Sequence, residues 1–417
     1  MKKITTFFFL LLITILSIKY QYKNKENKII IIPEKNPAII NKYYIYGTKL
    51  NIEGEITNIN SQFIRGDIIF HNSINNNIII YKLNYTKKIN NLIFNISNEI
   101  NNGIHLDYIP KGTYTTYIRL VYDNNIEKYY SLINNTPYKK TKYYTLSKIN
   151  NLITINTTNN NFNIKVNNNN QKTYDIVIDP SRGGNDKGTT GNGYTESDIT
   201  MNFAIKIKEK LEKEGLSVKL TRTLFSLKEN EHFDEYNTHG RAIIPHENHA
   251  KYVFSLHTNS SPTNKTKGLS IYTAANINYD LSTSIIENIV NNSPIKPAKS
   301  NIYSIDYGIY SHNYTNEEIK ESKEEYIEKG YKMYKITNNS NYLYMIRETG
   351  GMITGAYIDN RNKEIGNNPY YNSNVGSESY VIYLGYLTNK EDLDMLTINQ
   401  DKYINLLTEP IIKELRI

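Results

Sequence analysis

Three short runs in the second half of the chain carry side chains that could do chemistry together. The first is Asp179-Pro180-Ser181-Arg182-Gly183-Gly184-Asn185-Asp186-Lys187-Gly188, with Glu196 soon after it. The second is Ser255-Leu256-His257-Thr258-Asn259, and the third is Tyr383-Leu384-Gly385-Tyr386-Leu387-Thr388-Asn389. There is no cysteine in the 417 residues, so disulfides, a lipoprotein cysteine and thiolate metal sites are excluded, and any metal must rest on histidine and carboxylate. Two residues in these runs work against metal hydrolysis. A guanidinium such as that of Arg182 keeps its proton and has no lone pair to give a metal. A phenol such as that of Tyr383, with an ordinary pKa near 10, is no general base at neutral pH.

The elements that must position these residues follow from periodicity. Tyr174 to Asp179 reads as a short buried strand. Ser197 to Glu214 carries Ile199, Phe203, Ile207 and Leu211 at spacing four, as an amphipathic helix requires, with Gly215 as its cap. Further strands are expected at Ser217 to Thr221, Tyr252 to His257, Leu269 to Tyr272 and Tyr380 to Leu384. Helices are expected at Leu281 to Val290, Glu317 to Tyr334 and Tyr403 to Leu415. Strands alternating with helices argue for an α/β fold with a mostly parallel sheet flanked by helices, whose sites form at the carboxyl ends of its strands.

Taken in order and spacing, the runs resemble the zinc-dependent N-acetylmuramoyl-L-alanine amidase family, over residues 172–417. In that family the first run reads Asp-Pro-Gly-His-Gly-Gly, its His binding zinc, and the last reads Glu-Leu-Gly-Phe-Leu-Ser-Asn, its Glu doing the acid/base work. Arg182 and Tyr383 stand at those two positions. The scaffold features Asp179, Gly183-Gly184, Asp186, Leu220-Thr221-Arg222 and Arg241 remain. The resemblance implies an amidase-like sheet, peptidoglycan as partner, and a Zn2+ ion held by His, Glu and His with an open position for water. Glu196 and His257 are the surviving metal positions, Arg182 takes the place of the first His, and Tyr383 takes that of the catalytic Glu. It also implies that all four gather on one rim of the sheet. A guanidinium about 4 Å from a cation costs about 4 kcal/mol at an effective dielectric near 20, on the order of a thousandfold in affinity. An Arg182–Glu196 ion pair in the vacant place, with hydrolysis impaired, is therefore expected. The alternative is an active amidase with an altered metal site.

Other groups able to rebuild such a site are His232, His239, His246 and His249, of which the last two are spaced to share a helix face, together with Glu348 and Glu378. Glu378 is an odd number of residues from Tyr383 and so faces the other way in one strand. Asp186 is expected to brace the glycine loop and Asp198 the helix start. The charged helix from Glu317, within the long stretch Asp306 to Asn372, reads as a solvated surface, although insertions near such a crevice can also block it.

Ahead of this domain lie three further segments. Residues 1–22 carry Lys2 and Lys3 before an apolar stretch from Ile4 to Ile18, the pattern of a secretory signal or an uncleaved membrane anchor, and place the bulk of the chain outside the cytoplasmic membrane. Residues 23–157 show short alternating runs separated by Asn, Gly and Asp, as in a β-rich, sandwich-like accessory domain. Residues 158–171 are Asn-rich and read as a linker. A formal net charge of +8 favours an anionic partner, such as a membrane surface or an anionic wall polymer. Lys and Arg are interleaved with acids and form no basic stripe, which argues against nucleic acid.

Overall fold

The computed structural model describes residues 30–416 apart from 61, 98, 100–101, 224–239, 329–334 and 356–372. The segment read as an export signal or anchor lies outside the described residues, as do His232 and His239. Among the described residues no helix is long and apolar enough to cross a membrane.

The second half forms the expected α/β unit around a seven-stranded sheet. Its order is Val218–Leu220, Ile176–Pro180, Tyr252–Asn259, Glu378–Tyr386, Ser270–Tyr272, Ile309–Tyr310 and Ser304–Asp306. The first four strands run parallel, Ser270–Tyr272 runs against Glu378–Tyr386, and the sheet is thus mostly parallel with a mixed edge. Ile176–Pro180 is buried along its whole length, as a central parallel strand must be. The helix Glu196–Lys213 lays Ile199, Phe203, Ile207 and Leu211 onto the sheet. Gln400–Glu414 and Asp280–Asn292 pack in the same core. The charged helix Asn316–Glu328 is largely exposed, as read; it is tied down where Glu318 meets His312 at 2.8 Å, the imidazole being stacked between Tyr303 and Tyr342. Residues 329–334 of the expected helix lie outside the described residues.

The first half is β-rich, with a core of its own that includes Tyr43, Phe70, Phe94 and Phe162. Its strands join one hydrogen-bonded sheet that branches at Gly112–Val121, which pairs with three neighbours. One expectation fails here. The Asn-rich stretch is no linker: Asn161–Asn168 is a strand paired along its length with Asn151–Thr158. Phe162, Ile164 and Val166 alternate inward and are buried, while the residues between them face out. Asn159 and Asn160 form the two-residue turn with φ of 49° and 64°, the left-handed pair that such a hairpin demands and that asparagine tolerates. The β-rich unit therefore runs on to Asn168.

A third apolar cluster joins the two units: Tyr44 and Tyr46 from the β-rich part pack with Val177, Val253 and Val381 of the α/β sheet. Val375–Gly376 returns late in the chain to pair in parallel with Ile45 and Tyr46.

Candidate active site

Asp179 ends the first parallel strand, and its buried carboxylate organises the rim. Arg241 grips it with two bonds of 2.7 and 2.8 Å, while Thr221 Oγ1 donates at 2.7 Å and Ser255 Oγ at 2.6 Å. Burial alone would raise this carboxyl; the Arg241 charge and these donors more than offset it and hold it below its usual range. Asp179, Thr221 and Arg241, three separate signals in the sequence, are thus one brace. Arg222 adds a second by donating to the carbonyls of Pro180, Ser181 and Ser197, which fixes the loop against the helix.

Glu196 is the first residue of its helix, after the cap Thr195, whose hydroxyl accepts from Asp198 N–H. Its side chain is 1% exposed and turned toward the strand ends. One oxygen accepts from Ser181 Oγ at 2.9 Å and from His257 Nδ1 at 3.0 Å; the other accepts from the Thr189 N–H at 3.0 Å. Arg182 Nε lies 3.3 Å from that second oxygen, close enough for the expected ion pair but misaligned for a hydrogen bond. The guanidinium also reaches Asp186 at 3.1 Å, so it bridges two carboxylates rather than forking onto one. Asp186 in addition accepts from the Gly188 N–H, bracing the glycine loop as read. Burial would raise the Glu196 carboxyl, yet His257, Thr189 and Arg182 together hold it down to about 2.

His257 and Tyr383 are direct neighbours across parallel strands, with ring centroids 5.1 Å apart. Burial, with Tyr272 and Glu196 adding to it, pushes the Tyr383 phenol up to about 12, so it holds its proton and cannot take one from water at neutral pH. Arg182, Glu196, His257 and Tyr383 are thus gathered on one rim.

Zinc would need this rim to supply lone pairs. Asp179 can only accept, so Ser255 donates to it and turns its oxygen toward His257 Nε2, 3.1 Å away. Ionised Glu196 can likewise only accept from Nδ1. Nδ1 of His257 faces Glu196 and Nε2 faces the Ser255 hydroxyl, both Glu196 oxygens are engaged, and the third position is a cation. The residues present do not fit a zinc ion, and among the described residues no cluster of three His, Asp or Glu side chains is placed to hold a metal.

The proposed substitutes are elsewhere. His249 falls beyond the short helix Ile243–Glu247 that carries His246, so the two do not share a helix face. With φ of 53°, it stacks on Tyr144 at 3.9 Å. Both precede the strand whose far end bears His257, and burial holds both near 4. Glu378 opens its strand, buried and bonded by the Tyr380 hydroxyl, and Glu348 is buried against Arg347 at 2.9 Å. Sequence reading missed Ser181, Thr189 and Ser255. Only Ser255 left a signal, two residues from His257 and hence on the same strand face.

A braced strand-end rim on a mostly parallel sheet, closed by a helix-borne carboxylate, defines an α/β protein with a crevice at the carboxyl ends of its strands. The profile of the N-acetylmuramoyl-L-alanine amidases matches residues 176–415, more than half of the chain, and the chain belongs to that family of peptidoglycan amidases. A curated relative, the sporulation-specific N-acetylmuramoyl-L-alanine amidase of Bacillus subtilis (strain 168), is 35% identical over 88 residues, 20% of this chain and 31% of that protein. The chain thus spans about a third of that relative's length. Among solved structures, N-acetylmuramoyl-L-alanine amidase AmiC2 of Nostoc punctiforme is 20% identical, covering 59% of this chain and 98% of its own, with a TM-score of 0.36. The CwlD amidase from Clostridioides difficile, solved in complex with the GerS lipoprotein, is 19% identical, covering 58% of this chain and 98% of its own, with a TM-score of 0.38.

Proposed function

We propose that this amidase-family chain is an exported cell-wall protein that binds peptidoglycan, or regulates proteins that do, and that its zinc-dependent hydrolysis is impaired. The observation that carries this reading is Arg182 against Glu196, with His257 donating to the same carboxylate. A fixed cation sits where a ligand is needed, and a protonated phenol sits where a base is needed. The double-lysine start and apolar stretch of residues 1–22 support export, as a cleaved signal or a membrane anchor. Zinc content of the full-length protein, by elemental analysis, and release of stem peptides from purified peptidoglycan test the reading together. The wild type should hold little zinc and cut slowly. Arg182→His with Tyr383→Glu should gain near-stoichiometric zinc and at least about a hundredfold in cutting rate, the scale of a restored general base. Near-stoichiometric zinc with brisk cutting by the wild type would instead make it an active amidase with an altered site.

A further inference from the structure

Tyr383 also lines a cleft of about 680 Å³ that opens away from Arg182, Glu196 and His257, none of which borders it. Two segments wall it: one carries Lys265 and Lys267, the other Lys296 and Lys299. They lie side by side, because Leu269 exchanges backbone bonds with Lys296 and Ala298. No acidic residue and no arginine lines the cleft. Lys267 is paired with Glu391 at 2.5 Å, whereas Lys265, Lys296 and Lys299 are exposed and join no ion pair among the described residues. These three ammonium groups around one concavity, with Lys296 also in the field of Glu391, repel each other, and an anion relieves that repulsion. Arginine's planar fork demands a bidentate partner; lysine's compact charge on a flexible stem takes successive anionic groups of a polymer, phosphates among them, without that geometric demand. The floor is tyrosine. Tyr272 stacks on Tyr310 at 5.0 Å and meets Tyr383 edge-on at 5.8 Å. Tyr272 is held between the other two rings, which limits the faces on which nucleic-acid bases would stack. The Tyr310 hydroxyl spends its proton on the carbonyls of Ala298 and Lys299, fixing the lysine-bearing segment to the floor, and its oxygen can still accept from a polyol hydroxyl.

We propose that this lysine-walled cleft binds a phosphodiester-linked polyol or sugar chain, an anionic polymer different in chemistry from the amide that the family cuts. The proposal relies on the reading above for placing the chain at the wall, and it is measured separately from zinc content and cutting. The test is titration of the full-length protein with a synthetic glycerol-phosphate oligomer, beside a single-stranded oligonucleotide of equal charge and a muropeptide bearing carboxylates alone. The oligomer should bind, and its affinity should fall about tenfold or more between about 50 and 200 mM salt, as release of counterions by three phosphate contacts requires. Lys265→Glu with Lys299→Glu should weaken it at least tenfold, and Lys296→Gln with Lys299→Gln, a gentler pair, severalfold. Tyr383→Glu should weaken it too, since it sets a carboxylate at the mouth. Zinc content should not change in the lysine variants. Absent or salt-insensitive binding, affinity unchanged in both lysine variants, or tighter binding of the oligonucleotide or the muropeptide would overturn the proposal.

Discussion

Arg182 holds its place through backbone as much as charge. Its φ of 62° begins a left-handed run continued by Gly183 and Gly184, a conformation that costs a residue with a Cβ about 1–2 kcal/mol. Gly188 makes the Arg182–Glu196 approach feasible, because a Cβ there would collide with both side chains. The Glu196 carboxylate, held down chiefly by His257 with Thr189 and Arg182 helping, has a pH signature. Glu196 falls from its ordinary 4.5 to about 2 in the folded protein, so its stabilisation is complete above pH 4.5 and is lost as pH drops toward 2. Its size is on the order of 3 kcal/mol. In urea melts across pH 2–5, Glu196→Gln should flatten that acid limb; an unchanged limb would mean that the carboxylate is not held as described. All four rim residues were legible through the resemblance of their runs to the amidase family. Ser181 and the Thr189 N–H were not, because their role depends on the path of the loop rather than on side-chain identity.

Among the elements, the α/β strands and helices were readable because apolar spacing and buried runs are direct images of packing. The hairpin Asn151–Asn168 was hidden by composition: a run of asparagines looks like a spacer until the two-residue alternation of Phe162, Ile164 and Val166 is counted. Its energetics give a matched pair of expectations. Ile164→Ala removes a fully buried side chain and should cost about 2–5 kcal/mol in a urea midpoint series. Asn160→Val forces a β-branched residue to a φ of 64° and should cost about 1–2 kcal/mol, whereas Asn160→Gly should be nearly neutral. A flexible spacer would tolerate all three.

For the molecule as a whole, the division into two units is real in sequence order but incomplete in space. Tyr44 and Tyr46 pack into the α/β sheet, and the Tyr46 hydroxyl accepts from the Ser379 N–H at 3.3 Å. Lys251, 1% exposed at the seam, is pushed down to about 8 by burial, against the pull of Asp175 and Asp107. A shared core of this kind should give one calorimetric transition with equal van't Hoff and calorimetric enthalpies; two resolved transitions would show that the units unfold independently. This union was not legible in the sequence, since nothing local marks Val375 and Gly376 as partners of a strand more than three hundred residues earlier. The returning pair also decides where force goes. Ile45 and Gly47 donate to the carbonyls of Asn374 and Gly376, and only Ser377 separates that pairing from the strand leading to Tyr383. Tension between the N-terminal side of the chain and a polymer gripped in the cleft is carried along two parallel strands in shear, where the bonds resist together, rather than being peeled open one at a time.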